Sequence, residues 1–430
     1  MDVPEPRTYD VAGIGFGPAN LSLAIALDER PEPISSVFLE RRASLSWHRG
    51  MLVPSAKMQV SFLKDLVTFR NPASPFGFVS YLREVGRLAM FVNNQDFFPT
   101  RREFHGYLEW AEAKLRPNVV YGSEVVAIRT PPGERGPVDR LLVEVRGDGR
   151  SGGTRLVEAR NVVVSTGLVP RMPAGVEGDT SVWHSSEFLD RFRAHDRPIR
   201  RVAVAGGGQS AAEIVRFLYD ALPEAEIHAI VPAYGYSIAD STPFANQIFD
   251  PDAVDDYYDG TPRSRDAFWK YHKNTNYSVV DAEVIKDLYR RAYDDGLAGT
   301  NRLRFLGLTR VVDVKSVQND VRVTLHSASR DESHDLDVNV LVCATGYDPM
   351  DPCAVLGDLA SRCPRDDAGR LRVDRDYRLV TPPDLRCGIY LQGGTEHTHG
   401  LSSSLLSNLA VRSGEIARSI AAGLAAQEKR

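Results

Sequence analysis

Two stretches of the chain carry the same succession of polar and apolar positions. Tyr9 to Leu27 reads YDVAGIGFGPANLSLAIAL, and Arg201 to Leu218 reads RVAVAGGGQSAAEIVRFL. In each, a short apolar run meets a glycine-rich turn and then apolar residues at helical spacing. The first predicts a strand completed by Val11 to Gly13 and a helix beginning near Pro18, whose fixed φ suits the first helical position. In the second, Ile214, Leu218 and Leu222 recur four apart, as the sheet-packing face of a helix should. Val37 to Glu40 and Ile227 to Val231 read as the strands that follow the two helices. Two further buried β runs, Asn161 to Pro173 (NVVVSTGLVPRMP) and Asn339 to Pro349 (NVLVCATGYDP), each lead into Thr-Gly. The pattern predicts an α/β fold with two Rossmann-like dinucleotide-binding domains and a small, mostly helical substrate-binding insertion. The first domain is expected over 1–170 and 346–430, and the second over 171–235 and 300–345. The helical region is expected over 236–299.

Gly13 and Gly15 keep the dinucleotide spacing, but Pro18, with Gly17 before it, stands where a third glycine is usual. The missing Cβ atoms would let the backbone approach a pyrophosphate at the helix N-terminus. Glu40, 27 residues after Gly13, stands near the place of a ribose-binding carboxylate. In the second unit Gly206, Gly208 and Ala211 give GxGxxA, and Gln209 and Ser210 offer an amide and a hydroxyl to phosphate. The strand that follows ends in PAYGYS with no acid, which favours NADPH over NADH, but with no arginine for a 2′-phosphate either. A tight turn beside an incidental Glu40, or glycines serving packing alone, is the plainer alternative at each site. Two such units in one chain predict a flavin and a nicotinamide, and hence a redox enzyme.

Composition narrows the class. At 430 residues with 43% hydrophobic and 25% charged, the chain is an ordinary globular protein with room for two or three domains. A net charge of −5 gives no electrostatic case for nucleic acid or an acidic membrane surface. The N-terminus lacks a signal-peptide pattern, and no apolar run spans a bilayer, so a cytoplasmic protein is expected. Cys343, Cys353, Cys363 and Cys387 form no CxxC pair and no metal-site spacing. A disulfide reductase is therefore disfavoured, no metal site is expected, and all four read as buried structural thiols.

Several segments are not required by any dinucleotide fold: Met51 to Arg70 (MLVPSAKMQVSFLKDLVTFR), Asp240 to Asp250 (DSTPFANQIFD), Lys273 to Asp281 (KNTNYSVVD) and Gly393 to Ala410 (GGTEHTHGLSSSLLSNLA). With GFGPANLSLA, they resemble the ornithine/lysine N-hydroxylating flavin monooxygenases from Tyr9 to about Ile416. The motifs are most similar to those of actinobacterial L-ornithine N-hydroxylases of the siderophore and kutzneride type, with lysine hydroxylases next.

The resemblance implies a monooxygenase that takes FAD, NADPH, L-ornithine and molecular oxygen. It implies a flavin 4a-hydroperoxide attacked by the substrate's terminal amine, with the product destined for hydroxamate siderophores or piperazate-type peptides. The protein then supplies orientation, exclusion of water and a neutral amine, whose free pKa is about 10.4.

By the same resemblance, Lys64 holds the substrate carboxylate, and Asn246 and Asn276 bind its carboxylate end and terminal amine. Gln59 stands near the flavin and NADP⁺, Trp47 and His48 lie on the flavin side, and Arg101 serves the 2′-phosphate. Ser404 to Ser407, including Leu405, open the last helix beside flavin and substrate. The plainer alternatives are a solvated Lys64, cap or turn asparagines, a core Trp47, a structural His48, and an Arg101 whose neighbours Thr100 and Glu103 form a capping box. Relatives of the family also imply a homo-oligomer, commonly a tetramer. An FMO-like or Baeyer–Villiger oxygenase, or an inactive flavin-binding scaffold, would explain the glycine turns but not Lys64, Asn246 and Asn276 in these settings.

Overall fold

The first strand, Thr8–Ile14, lies at the centre of a seven-stranded sheet. It pairs in parallel with Ser36–Leu39 on one side and Thr154–Val164 on the other. This computed structural model describes residues 8–429 apart from 55, 134–135, 148–152, 174–175, 177–178 and 319. The long strand Thr154–Val164 divides its edge. Its first half pairs antiparallel with Leu141–Gly147, and its second half pairs in parallel with Gly388–Leu391. The helix Pro18–Asp28 starts at the expected proline and packs Leu23, Ala26 and Leu27 against Ile416, Ala417 and Ile420 of the C-terminal helix Leu409–Glu428. That helix begins later than expected. Leu401–Ser404 form a 3-10 turn, and Leu405 is extended, so Ser404 to Ser407 precede the helix rather than open it.

A second, five-stranded parallel sheet runs in the order Leu303–Leu306, Glu226–Ile230, Arg201–Ala205, Val340–Cys343, Val182–His184. The helix Gln209–Ala221 covers one face, burying Ile214 and Leu218 completely. An antiparallel sheet of Thr309–Val317, Asp320–Ser327 and Glu332–Val338 covers the other through Val314, Val321, Val323 and Leu325. The two Thr-Gly junctions lie side by side. Tyr347 pairs with Pro170 and Asp348 with Val169, and Thr345 Oγ1 donates to Arg171 O at 2.5 Å. The chain thus leaves and re-enters the first sheet's unit through one short antiparallel ribbon.

Between the strands at 226–230 and 303–306 lie the helices Pro243–Asn246, Asp252–Tyr258, Pro262–His272 and Ala282–Ala298. The last does not stand with the others. Val284 and Leu288 join the core of the second sheet, so packing assigns this helix to that sheet. Of the four thiols, Cys343, Cys363 and Cys387 are buried, whereas Cys353 is only partly so. Among the described residues no helix is long and apolar enough to cross a membrane.

One buried ion pair joins the two units. Arg101, the first residue of the helix Arg101–Leu115, places Nη1 2.5 Å and Nη2 3.1 Å from the two carboxylate oxygens of Glu213. The Glu213 side chain is 1% exposed and that of Arg101 11%. Removing one partner would strand the other charge in a desolvated place, at a cost of about 3–5 kcal/mol. Glu213→Ala is expected to lower the thermal midpoint strongly, whereas the double change Arg101→Met/Glu213→Leu recovers much of it. Calorimetry of the three proteins checks this, and equal midpoints for single and double variants would contradict it.

Candidate active site

A single cavity of about 2800 Å³ opens between the two sheets and the helical region. That is nearly three times the ~1,000 Å³ upper end for drug-sized ligands, and therefore suits more than one large ligand. Both glycine turns face it. Gly15, Gly17 and Pro18 line one side, and Gly206, Gly208 and Ser210 line the other.

The first turn is built for close approach. Gly15 has φ +80°, and a Cβ there would fall 2.4 Å from Ser165 O, while a Cβ on Gly17 would meet nothing within 4 Å. Asn20 Nδ2 donates to Gly15 O at 2.7 Å and fixes the turn. The open side of Gly17 at a helix N-terminus fits a pyrophosphate, whose charge the exposed N–H groups would meet. Gly13 is placed differently from expectation. It does not line the cavity, and its Cβ would strike the Phe38 ring at 2.3 Å, so it serves strand packing. Glu40 lines the cavity just past its strand. Its carboxylate accepts from Phe16 N–H at 2.6 Å and Arg42 N–H at 2.9 Å, so it also braces the glycine turn.

The second turn repeats the logic at Gly206, where φ is +155° and a Cβ would lie 2.3 Å from Ala344 O. Gln209, however, is spent on structure. Its Nε2 donates to Glu213 Oε1 at 2.8 Å and Asp281 Oδ2 at 2.9 Å, and its Oε1 accepts from Asp281 N–H at 2.8 Å. An amide has two N–H donors, so none is left for a phosphate. Arg101 is also engaged, though Glu213 takes only two of its five N–H donors. It reaches the cavity wall, but Glu213 occupies its guanidinium fork, and its observed work is to join the units.

Gln59 is exposed to the cavity, and its Nε2 lies 3.4 Å from Asp281 Oδ1. A chain of polar contacts thus runs Arg101, Glu213, Gln209, Asp281, Gln59, from the first unit into the second and back. Trp47 packs on the first unit's aromatic core, 5.5 Å from Phe104 between ring centroids. His48 follows in the left-handed region at φ 47° and opens onto the cavity. Burial between the cleft walls, with a smaller effect from the Arg101 guanidinium, pushes its pKa down to about 4.

Lys64, Asn246, Asn276, Ser404 and Leu405 all line this cavity. The Lys64 ammonium lies 5.9 Å from the Phe69 ring centre and 5.7 Å from that of Phe249. Burial pulls its pKa below the usual lysine value, with Asp250 opposing, and no acid forms an ion pair with it among the described residues. Asp65 holds this lysine's loop in place. It is 3% exposed and accepts from the N–H groups of Val67, Thr68 and Phe78 at 2.7–2.9 Å. Nothing in SFLKDL distinguishes that brace from a surface acid. Asn246 is exposed, with Nδ2 donating to Ser241 O at 3.1 Å, while Asn276 is half-buried at the end of a 3-10 turn. Ser404 Oγ donates to Glu396 Oε1 at 3.1 Å, and Tyr277 OH reaches the same oxygen at 2.5 Å. Glu396, Tyr277, Asp281 and Glu213 were not singled out by the sequence, because each takes its role from a partner far along the chain.

Comparison with known proteins agrees with this geometry. The family described as L-lysine 6-monooxygenase/L-ornithine 5-monooxygenase matches residues 7–349. An L-ornithine N(5)-monooxygenase of Pseudomonas aeruginosa is 36% identical over 423 residues, covering 96% of this chain and 93% of the relative. The ornithine N-hydroxylase of Kutzneria sp. 744, solved with reduced FAD, NADP⁺ and L-ornithine, superposes with a TM-score of 0.93 at 68% identity. That match covers 97% of this chain and 99% of the Kutzneria chain. An L-lysine 6-monooxygenase from Pseudomonas syringae superposes with a TM-score of 0.83 at 30% identity, covering 97% and 100%. A paired-nucleotide fold, one shared cavity and matches across nearly the whole chain place this protein in the L-lysine 6-monooxygenase/L-ornithine 5-monooxygenase family of flavin-dependent enzymes.

Proposed function

We propose that the protein hydroxylates the side-chain amine of L-ornithine with FAD, NADPH and molecular oxygen, for hydroxamate siderophore or piperazate-type peptide synthesis. The observation that carries this reading is Lys64: a half-buried ammonium on the cavity wall, without an acid partner, facing the same space as both glycine turns. A bound flavin would supply oxygen activation at the expense of NADPH. The first glycine turn, with Glu40 behind it, would hold FAD, and the turn at Gly206 and Gly208, with Ser210, would hold NADPH. Trp47 and His48 stand on the flavin side.

The remaining work falls to the chain's own side chains. Lys64 pairs with the amino-acid carboxylate and so sets the distance to the far amine. Asn246 binds at the carboxylate end, and Asn276 offers the terminal amine a neutral amide, which accepts from it without stabilising its ammonium form as a carboxylate would. Gln59, held by Asp281, and Ser404 with Leu405 close the space around the reacting end.

L-Lysine is the second reading, favoured by the lysine enzymes in the same family. The protein is proposed to act in the cytoplasm as a homo-oligomer. Tyr289, Tyr293 and Leu297, four apart on one helix and 61–76% exposed, support association of like chains. Sedimentation tests that assembly, and a monomer at working concentration would exclude it.

L-Ornithine is expected to be hydroxylated well, L-lysine poorly and putrescine hardly at all. With the carboxylate pinned, an added methylene shifts the amine by more than about 1 Å, which costs on the order of a hundredfold in rate. Putrescine leaves Lys64 unpaired. Product assays on the three amines check this, and a preference for lysine would move the protein to the second reading.

Lys64→Ala is expected to raise the KM for ornithine and divert reducing equivalents to hydrogen peroxide, while NADPH still reduces the flavin. In the wild type, ornithine affinity depends on the protonated lysine, whose pKa burial has lowered. Affinity should therefore weaken as pH rises through that lowered pKa, earlier than for an exposed lysine. Lys64→Arg should lose this alkaline limb, because guanidinium stays charged. A KM profile indifferent to both substitutions would exclude Lys64 as the anchor.

A further inference from the structure

The loop after the second strand of a dinucleotide-binding unit lies beside the adenosine ribose, and its charge distinguishes a 2′-hydroxyl from a 2′-phosphate. Here the strand Glu226–Ile230 runs into Val231-Pro232-Ala233-Tyr234-Gly235, which carries neither acid nor base. Arg101, the sequence's candidate for the 2′-phosphate, already has a buried carboxylate in its fork.

The fold brings another cation to this loop. Beyond the strand Leu303–Leu306, the backbone is strapped along it. Leu308 N–H donates to Ala233 O at 2.8 Å, and Thr309 N–H donates to Val231 O at 3.1 Å. A Cβ on Gly307 would fall 2.4 Å from Tyr234 O, so glycine is what permits the close approach. Thr309 then turns inward, 5% exposed, and the next residue, Arg310, is exposed. Arg310 lines the same cavity as Pro232 and the Gly206–Gly208 turn. Neighbouring arginines are engaged: Arg171 pairs with Asp348 at 2.5 Å, and Arg304 with Glu226 at 3.1 Å. Among the described residues no acid pairs with Arg310.

We infer that Arg310 binds the 2′-phosphate of NADPH and so determines coenzyme choice, an inference that rests on the proposed use of NADPH. A guanidinium offers phosphate two parallel N–H donors, and no buried pair has to be broken to supply them. The sequence separates Arg310 from the second strand by some eighty residues, so no local motif marks it.

The test is a titration of wild-type, Arg310→Ala and Arg310→Lys holoenzymes with 2′,5′-ADP and with 5′-AMP, together with KM and kcat for NADPH and NADH. Arg310→Ala should weaken 2′,5′-ADP binding roughly 10- to 100-fold, as loss of a charge-assisted hydrogen bond does. The change for 5′-AMP should be far smaller. In turnover the loss should fall on the KM for NADPH rather than on kcat, and Arg310→Lys should restore part of it. Added salt should weaken 2′,5′-ADP binding more in the wild type than in the alanine variant. Unchanged 2′,5′-ADP affinity in Arg310→Ala, or equal losses for both nucleotides, overturns the assignment. A wild type that binds 2′,5′-ADP no better than 5′-AMP, and uses NADH as well as NADPH, overturns the coenzyme reading and the assignment with it.

Discussion

The buried pair of Arg101 and Glu213 bridges the two units at the place where Met51, Val53 and Ala56 of the first also pack into the core of the second sheet. Taking both charges out of water is costly and is offset only when geometry is good and the remaining hydrogen-bonding groups are satisfied. Here both carboxylate oxygens are engaged by the arginine fork, and one also accepts from Gln209. A tilt of one unit against the other would lengthen several of these bonds together. The pair therefore favours one mutual orientation, and that orientation makes a single cavity out of two nucleotide-binding edges.

The same contacts reach the reacting region. Gln209 passes the constraint to Asp281, and Asp281 lies within reach of Gln59. Lys64, five residues further along the same segment, is held by a different device, the buried carboxylate of Asp65 gathering three backbone N–H groups. Gln59 and Lys64 thus have separate supports. A reaction whose oxygen chemistry resides in a cofactor needs this kind of protein, one that measures a distance and keeps water out.

Physical economy also explains why few side chains in the cleft carry strong charge partners on the substrate side. Lys64 lies between two aromatic rings, and Asn276 offers an amide without charge. An acid paired with Lys64 would compete with the substrate carboxylate.

Much of this was legible in the chain by itself. The two strand-turn-helix units, the start of the first helix at Pro18, the paired Thr-Gly crossings and the long motifs around Lys64, Asn246 and Asn276 are local in sequence. Local patterns are set by backbone conformation and hydrophobic period, which a sequence displays directly. The roles of Arg101, Gln209, Gly13 and Arg310 were decided only by tertiary structure. Gln209 looks like a phosphate donor until Glu213 and Asp281 take both its N–H groups, and the joining work of Arg101 shows only when Glu213 is seen across its fork. Gly13 looks like part of the cradle until Phe38 is seen against it, and Arg310 looks like a surface residue until the Gly307 turn carries it to the second strand's loop. A hydrogen-bonding group can be spent only once, and which partner claims it depends on contacts between residues far apart along the chain.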